Sequence, residues 1–245
     1  SSACLEIPMK IAYFDCFSGI SGDMVLAAIL DAGLPLESLN AEIAKLRLKD
    51  LRIESAATDR HAIAATHARV RIGTEPITDE QEHHVDLSNS DATGHEHHHE
   101  HQHNHLDDIL ERISTSALDS TVKQQSIRIF ERLGAAEAEV HGSEPSKVHL
   151  HEVGALDALV DVVGAVAGLH LLEIAEVHAS PLRFGTGFAR CAHGRYPVPV
   201  PGVLALCRNV PTEQTDIRAE LVTPTGAAII TTLAKSFGPQ SAFRQ

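Results

Sequence analysis

Three features of this chain predict a mixed α/β fold. A β-prone run, Lys10 to Cys16, passes through a loop holding two glycines, Phe17 to Gly22, into a helical pattern from Asp23 to Ala32. An almost wholly apolar helix follows much later, from about Ala155 to Leu172, and a helix with so little polar surface is buried. Short β-prone runs broken by glycine and proline fill much of the remainder, so small mixed sheets are expected around that central helix.

The elements follow in order. Gly33 reads as a helix stop and Pro35 as a first-turn residue, which predicts a second helix over Leu36 to Leu46. Leu51 to Ala57 and His67 to Ile72 read as strands, the latter alternating His67, Arg69 and Arg71 against Ala68, Val70 and Ile72. Gly73 to Asn104 has no periodicity and is rich in Asp, Glu, His, Ser and Thr, the composition of a long disordered loop. Helical pattern returns at Leu106 to Ile113 and at Ser120 to Val140, where Ile127, Phe130 and Leu133 recur at helical spacing. Gly142 and Pro145 punctuate, and Val148 to His151 is a short extended piece before the buried helix. Val177 to Leu182 and Phe188 to Ala192 read as strands. Pro197, Pro199 and Pro201 cannot lie in a central strand, and helices are expected over Leu204 to Arg208 and Ala227 to Lys235. The expected organisation is an upstream extension or tag remnant at 1–8, a strand-loop-helix unit with two strands at 9–72, a His-rich loop at 73–105 and an α/β region at 106–245. These form one domain.

Composition removes several function classes. The chain has 245 residues and a formal charge of −13 with histidine neutral, and a general nucleic-acid binder needs a basic surface. An acidic field draws divalent cations instead. Tryptophan is absent and aromatics are 4%, against a base-stacking groove. The longest apolar run, near Val153 to Leu172, is interrupted by Asp157 and Asp161, so no membrane span is expected. No secretory signal is visible and the expected compartment is the cytoplasm. Cys4, Cys16, Cys191 and Cys207 form no CxxC pair, which indicates neither a disulfide scaffold nor a structural zinc site.

Four constellations could carry chemistry. Seven histidines, His95, His97, His98, His99, His101, His103 and His105, fall within eleven residues. Imidazoles in a polar, aperiodic tract offer a visiting transition metal many interchangeable partners, so the loop reads as a metal collector rather than a fixed site; a His-rich solvated loop is the plainer alternative. A second set, His149, His151, Glu152, Asp157 and Asp161, suits nickel, zinc or cobalt better than a hard ion. His149 and His151 share one face of an extended segment, and Asp157 and Asp161 stack at i, i+4 on an apolar helix where carboxylates are costly without a partner. The loop FDCFSGISGD, with Ser18, Gly19, Ser21, Gly22 and Asp23 before a helix N-terminus, reads as an anion cradle or as a plain capped turn. The stretch from Ser180 to Pro201 offers Arg183, Arg190 and Arg195 for a phosphate or carboxylate and His193 as a candidate fourth ligand or acid. ELVTPTGAA, from Glu220, offers a capping threonine and amide donors. No GxSxG elbow, HExxH or catalytic-cysteine context is present.

The blocks FDCFSGISGDM, the His-rich loop, VHLHEVGALDALVDVVG, SPLRFGTGFARCAHGRYPVPVP and ELVTPTGAA, in that order, resemble the LarC family of nickel-insertion proteins from Met9 to about Leu233. The resemblance implies a CTP-dependent nickel chelatase or cyclometallase of the lyase class. Its substrate would be pyridinium-3,5-bisthiocarboxylic acid mononucleotide, converted to the nickel-pincer nucleotide of lactate racemase-type enzymes. Ni(II) would be collected by the His loop and presented by His149, His151, Glu152, Asp157 and Asp161, with His151, Asp157 and His193 in catalytic roles. The mononucleotide phosphate would rest on Ser18 to Asp23 or on Arg183 and Arg195. Family members continue into a further domain to which CTP is attributed. The resemblance therefore implies an amino-terminal fragment or subunit partnered by a carboxy-terminal LarC segment that handles CTP with Mg(II) or Mn(II), and a homo-oligomer is expected. The competing reading is a nickel or zinc metallochaperone or storage protein without catalysis; a metal-dependent hydrolase of small phosphates is weaker, because no general base stands out.

Overall fold

The computed structural model describes residues 9–60, 62–72, 105–144, 156–191 and 194–240. In chain order it runs β1 (Ile11–Phe14), α1 (Gly22–Asp31), α2 (Leu36–Ala44), β2 (Leu51–Arg60), β3 (Ile63–Ile72), α3 (Leu106–Thr115), α4 (Ser120–His141), α5 (Leu156–Leu171) and β4 (Glu176–Ala179). It continues through β5 (Leu182–Phe184), β6 (Phe188–Cys191), β7 (Gly194–Pro197), α6 (Pro201–Leu206), β8 (Thr212–Gln214), α7 (Pro224–Leu233) and β9 (Ala234–Phe237). The mixed α/β class expected from sequence is what forms. The 73–104 segment of the expected His-rich loop lies outside the described residues.

The helix α5 organises the rest. Every residue from Ala158 to Leu169 is buried apart from Asp161, which explains the missing polar face in the sequence. Gly164 and Gly168, one turn apart, leave room for α1: a Cβ on the first would lie 2.7 Å from Leu26 Cδ2, and on the second 2.6 Å from Ile29 Cγ2. The helices α1, α2, α4 and α7 all pack on α5. Its burial joins Leu26, Ile43, Ile53, Phe130, Val163 and Ile230 into one core.

Beside this layer lies a three-stranded parallel sheet of order β1-β4-β9. Ile11 to Phe14 pair with Glu176 to Ala179, and Val177, His178 and Ala179 pair with Ala234, Ser236 and Phe237. Ala12, Phe14, Val177 and Ala179 face the core. Parallel strands need helical crossovers, so the carboxyl ends of β1 and β4 emerge side by side, the place where open α/β sheets hold ligands. The remaining strands form two-stranded units: the long hairpin β2-β3, the pair β5-β8 and the hairpin β6-β7. Among the described residues no helix is long and apolar enough to cross a membrane.

Several boundaries differ from the sequence reading for identifiable reasons. Both hairpin strands are longer than expected, running ten residues each through Ala- and Thr-rich stretches of weak alternation. The run Val177 to Leu182 splits into two strands in different sheets, because the chain breaks at Ser180-Pro181. The two last helices begin at Pro201 and Pro224, each proline at a first-turn position where no N–H is missed. Lys235 belongs to β9, not to a helix; a four-residue strand with exposed Lys235 and Ser236 carries too little apolar periodicity to be read.

Candidate functional site

The connection from β1 to α1 is held by backbone. Gly19 N–H donates to Cys16 C=O at 3.0 Å, closing a turn with Phe17 and Ser18 at its corners. Ile20 forms a parallel bridge to Val222: Ile20 N–H donates to Leu221 C=O at 2.8 Å and Thr223 N–H to Ile20 C=O at 3.1 Å. The Cys16 N–H donates to the buried Ser180 Oγ at 2.8 Å, tying the loop to the end of β4. Gly226, in the first turn of α7, sits so close that a Cβ there would lie 2.3 Å from Ile20 O. Loop, α7 N-terminus and β4 end therefore form one rigid block.

The start of α1 meets α5 in the same place. A Cβ on Gly22 would fall 2.3 Å from Asp161 Oδ2 and 2.6 Å from its Cγ, so the Asp161 carboxylate lies directly on the Gly22 backbone. Ser21, the N-cap residue, does not cap the helix with its side chain; its hydroxyl donates to Asp23 Oδ1 instead. Asp157 Oδ1 accepts from Ala158 N–H at 2.9 Å. Asp161 Oδ1 is out of solvent and has no hydrogen-bond partner among the described residues. Burial first, then repulsion from Asp157 and Asp23, pushes the Asp161 carboxyl well above the usual carboxylate range. A carboxyl oxygen buried without a partner beside two other acids is costly on its own, and a proton or a cation lowers that cost. The nearby Cys16 thiol is pushed up to about 12, chiefly by burial, so it stays protonated and is no thiolate ligand in this state.

The sequence-predicted residues divide into three groups. Ser18, Gly19, Ser21, Gly22, Asp23, Asp157 and Asp161 converge on this block. Arg183 and Arg195 belong to other units: Arg183 Nε donates to Glu213 Oε2 at 3.0 Å across β5-β8, and the Arg195 guanidinium stacks 4.5 Å over the Phe188 ring on the β6-β7 hairpin. His95, His97, His98, His99, His101 and His103, together with His149, His151, Glu152 and His193, lie outside the described residues. His105 is described, as the N-cap residue of α3, its carbonyl accepting from Asp108 and Ile109 N–H. Among the described residues no three His, Cys, Asp or Glu side chains are arranged to hold a metal ion.

Two participants were not legible as such. Ser180 anchors the loop through a hydroxyl that nothing in the Ser-Pro-Leu-Arg string marks out. The Leu221–Thr223 strip pairs with Ile20 across 202 residues of sequence, although the TPTG signature gave the cap correctly: Thr223 Oγ1 accepts from Gly226 N–H at 3.2 Å.

Comparison with known proteins places the chain. Residues 12–245 match the family described as nickel insertion protein. Among curated relatives, a pyridinium-3,5-bisthiocarboxylic acid mononucleotide nickel insertion protein of Desulfitobacterium hafniense (strain DSM 10664 / DCB-2) is 44% identical over 94% of this chain and 51% of its own length. One of the same name from Acetivibrio thermocellus is 42% identical over 94% of this chain and 53% of its own length. The chain thus spans about half the length of the curated relatives it matches. No solved structure matches it.

Proposed function

The chain belongs to the nickel insertion protein family, and from that premise we propose that it binds Ni(II) as cargo and presents it to pyridinium-3,5-bisthiocarboxylic acid mononucleotide, yielding the nickel-pincer nucleotide. The observation that carries this reading is the unpaired, buried Asp161 Oδ1 set against Gly22, with Asp23 and Asp157 close enough to repel it. A carboxyl oxygen buried without a partner beside two further acids gains from a cation, although Asp23, Asp157 and Asp161 alone are not arranged as a metal-ligand set. That favours a metal at the Ser18–Asp23 loop over the phosphate that two glycines before a helix first suggest.

An incomplete ligand set suits cargo. A site that satisfied nickel fully would not release it, whereas two sulfur donors and a ring carbon of the substrate can complete the coordination at transfer. His149, His151 and Glu152 stand a few positions before α5 in the sequence and lie outside the described residues. In this reading His149 and His151 supply imidazole ligands and Glu152 a carboxylate, His151 and Asp157 act on the substrate, and His193 joins them. CTP, with Mg(II) or Mn(II), acts through the half of the relatives that this chain does not span.

The test is a reconstitution. Nickel-loaded protein, the precursor, CTP with Mn(II) and the carboxy-terminal half of the Desulfitobacterium relative as a separate chain should yield the nickel-pincer product by mass spectrometry. Stoichiometric nickel release without product would instead support a metallochaperone. A second expected outcome concerns the histidine run: deleting residues 94–104 should lower nickel stoichiometry by elemental analysis and shift Tm by less than about 2 °C, since the segment has no apolar residues to pack. The deletion stops before His105 because its carbonyl receives the first turn of α3. Unchanged stoichiometry would end the collector reading.

A further inference from the structure

We propose that the open edge of β2 is a dimer interface, where a second copy of this chain adds its own β2 antiparallel across a two-fold axis at Ala57. The strands β2 and β3 pair only with each other, in unbroken register from Leu51–Ile72 to Arg60–Ile63. The core takes up their inner half. Ile53 and Ala68 are buried there, whereas further out Ser55, Ala57, Asp59 and Ala64 are exposed and Ile63, at the tip, is 71% exposed. A two-stranded ribbon is marginal in water unless something is laid against it.

Asn40 identifies the backbone groups of β2 that point away from β3. Its amide donates to Ile53 C=O at 2.9 Å and its Oδ1 accepts from Ile53 N–H at 2.7 Å, so Ile53 gives neither group to β3. Direction alternates along an antiparallel strand, and the N–H and C=O of Ser55, Ala57 and Asp59 therefore face outward too. Among the described residues no strand takes them. Such a row is a template for another chain, and native proteins blunt it with lysine, proline, a bulge or a covering element. Asn40 covers Ile53, but the run SAATD from Ser55 to Asp59 contains no lysine or proline and its register no bulge. The opposite edge, on β3, runs along α1, where Thr66 Oγ1 donates to Asp31 Oδ1 at 2.9 Å.

The open row complements itself. With the axis at Ala57, each Ala57 exchanges both backbone bonds with its counterpart, and Ser55 and Asp59 do the same with the partner's Asp59 and the partner's Ser55. This axis alone pairs all three open residues of each copy. Moved toward the base of the hairpin, it sets one of them opposite Ile53, already taken by Asn40; moved toward the tip, it sets one beyond the end of β2. Methyl groups at the axis permit close approach, and each Asp59 carboxylate faces a serine hydroxyl rather than its own copy.

Ala57→Pro removes only an outward N–H, which an edge strand tolerates, so the pairing of β2 with β3 stays intact. Sedimentation velocity of the wild type from about 5 to about 500 µM, in EDTA so that metal bridging plays no part, should show monomer giving way to dimer as concentration rises. Ala57→Pro should stay monomeric throughout, with the circular dichroism spectrum of the wild type. Ala57→Lys, a gatekeeper that leaves the strand its N–H, sets two ammonium groups face to face and should weaken the dimer at least tenfold at low salt. The register has its own test: Ser55→Lys, opposite the partner's Asp59, should tighten the dimer severalfold at low salt, and Ser55→Asp should loosen it. A wild type that is monomeric at the highest concentration, or a dimer indifferent to Ala57→Pro or Ala57→Lys, overturns the interface. Ser55→Lys and Ser55→Asp shifting the equilibrium in the same direction overturns the axis at Ala57.

Discussion

Gly19→Ala should cost roughly 4 kcal/mol or more of folding stability, at the upper end of what single substitutions do. Gly19 has φ of +87°, and a Cβ there would fall 1.8 Å from Leu221 O and 2.4 Å from Leu221 C. The φ alone accounts for about 1–2 kcal/mol. The rest comes from backbone that cannot step aside: moving Leu221 breaks the Ile20-to-Leu221 hydrogen bond and the Val222 bridge that joins the loop to α7. Gly33 provides the comparison, because its φ is +101° and a Cβ there would meet nothing within 4 Å. Urea unfolding of Gly33→Ala should show only the conformational part. A loss at Gly19 no larger than at Gly33 would mean that the loop can lift off the Leu221–Thr223 strip, and the site would not be preorganised as described.

The contrast between these two glycines also marks what the sequence could and could not disclose. Both read as turn residues, since a glycine after a strand or helix is informative about φ. Only the fold reveals that one of them is pressed against a carbonyl 202 residues away. The same holds for Asp161. Its position inside an apolar helix, four residues after Asp157, flagged it as costly and therefore purposeful, and in the structure its Oδ1 is out of solvent without a partner among the described residues. That it rests on Gly22 was invisible, because nothing in local periodicity pairs α5 with the start of α1. Local signals succeeded where local physics decides: the Thr223 cap, the left-handed Gly142 ending α4 and the extent of the buried helix. They failed for β8 and β9, three and four residues long, whose strand character comes from neighbours rather than from their own side chains. The loop FSGISGD was read for the amides that glycine leaves free. Its electrostatics depend also on a helix that begins 133 residues after Asp23 and sets Asp161 against Gly22.

Asp161→Asn should produce opposite effects in the absence and presence of nickel. The folded-state pKa of Asp161 is raised by burial and by Asp157 and Asp23, whereas the unfolded chain has the ordinary carboxylate value near 4. Between those two values the folded protein holds a proton that the unfolded chain has released, so stability declines as pH climbs from about 4 toward the raised value and levels off above it. Replacing the acid with its neutral amide removes that decline, and the metal-free variant should be the more stable of the two proteins at pH 7. Nickel inverts the order. A cation bound to the ionised wild type stabilises by RT ln(1 + [Ni]/Kd), about 2.7 kcal/mol at one hundred times Kd, and losing this ligand should reduce nickel affinity by at least tenfold. The measurement is calorimetric Tm between pH 5 and pH 8, with and without NiCl2, in the background lacking residues 94–104 so that the loop histidines do not mask the effect. If Asp161→Asn is less stable than wild type without metal and gains as much from nickel, the carboxylate is a structural partner of Gly22, and the cation belongs elsewhere.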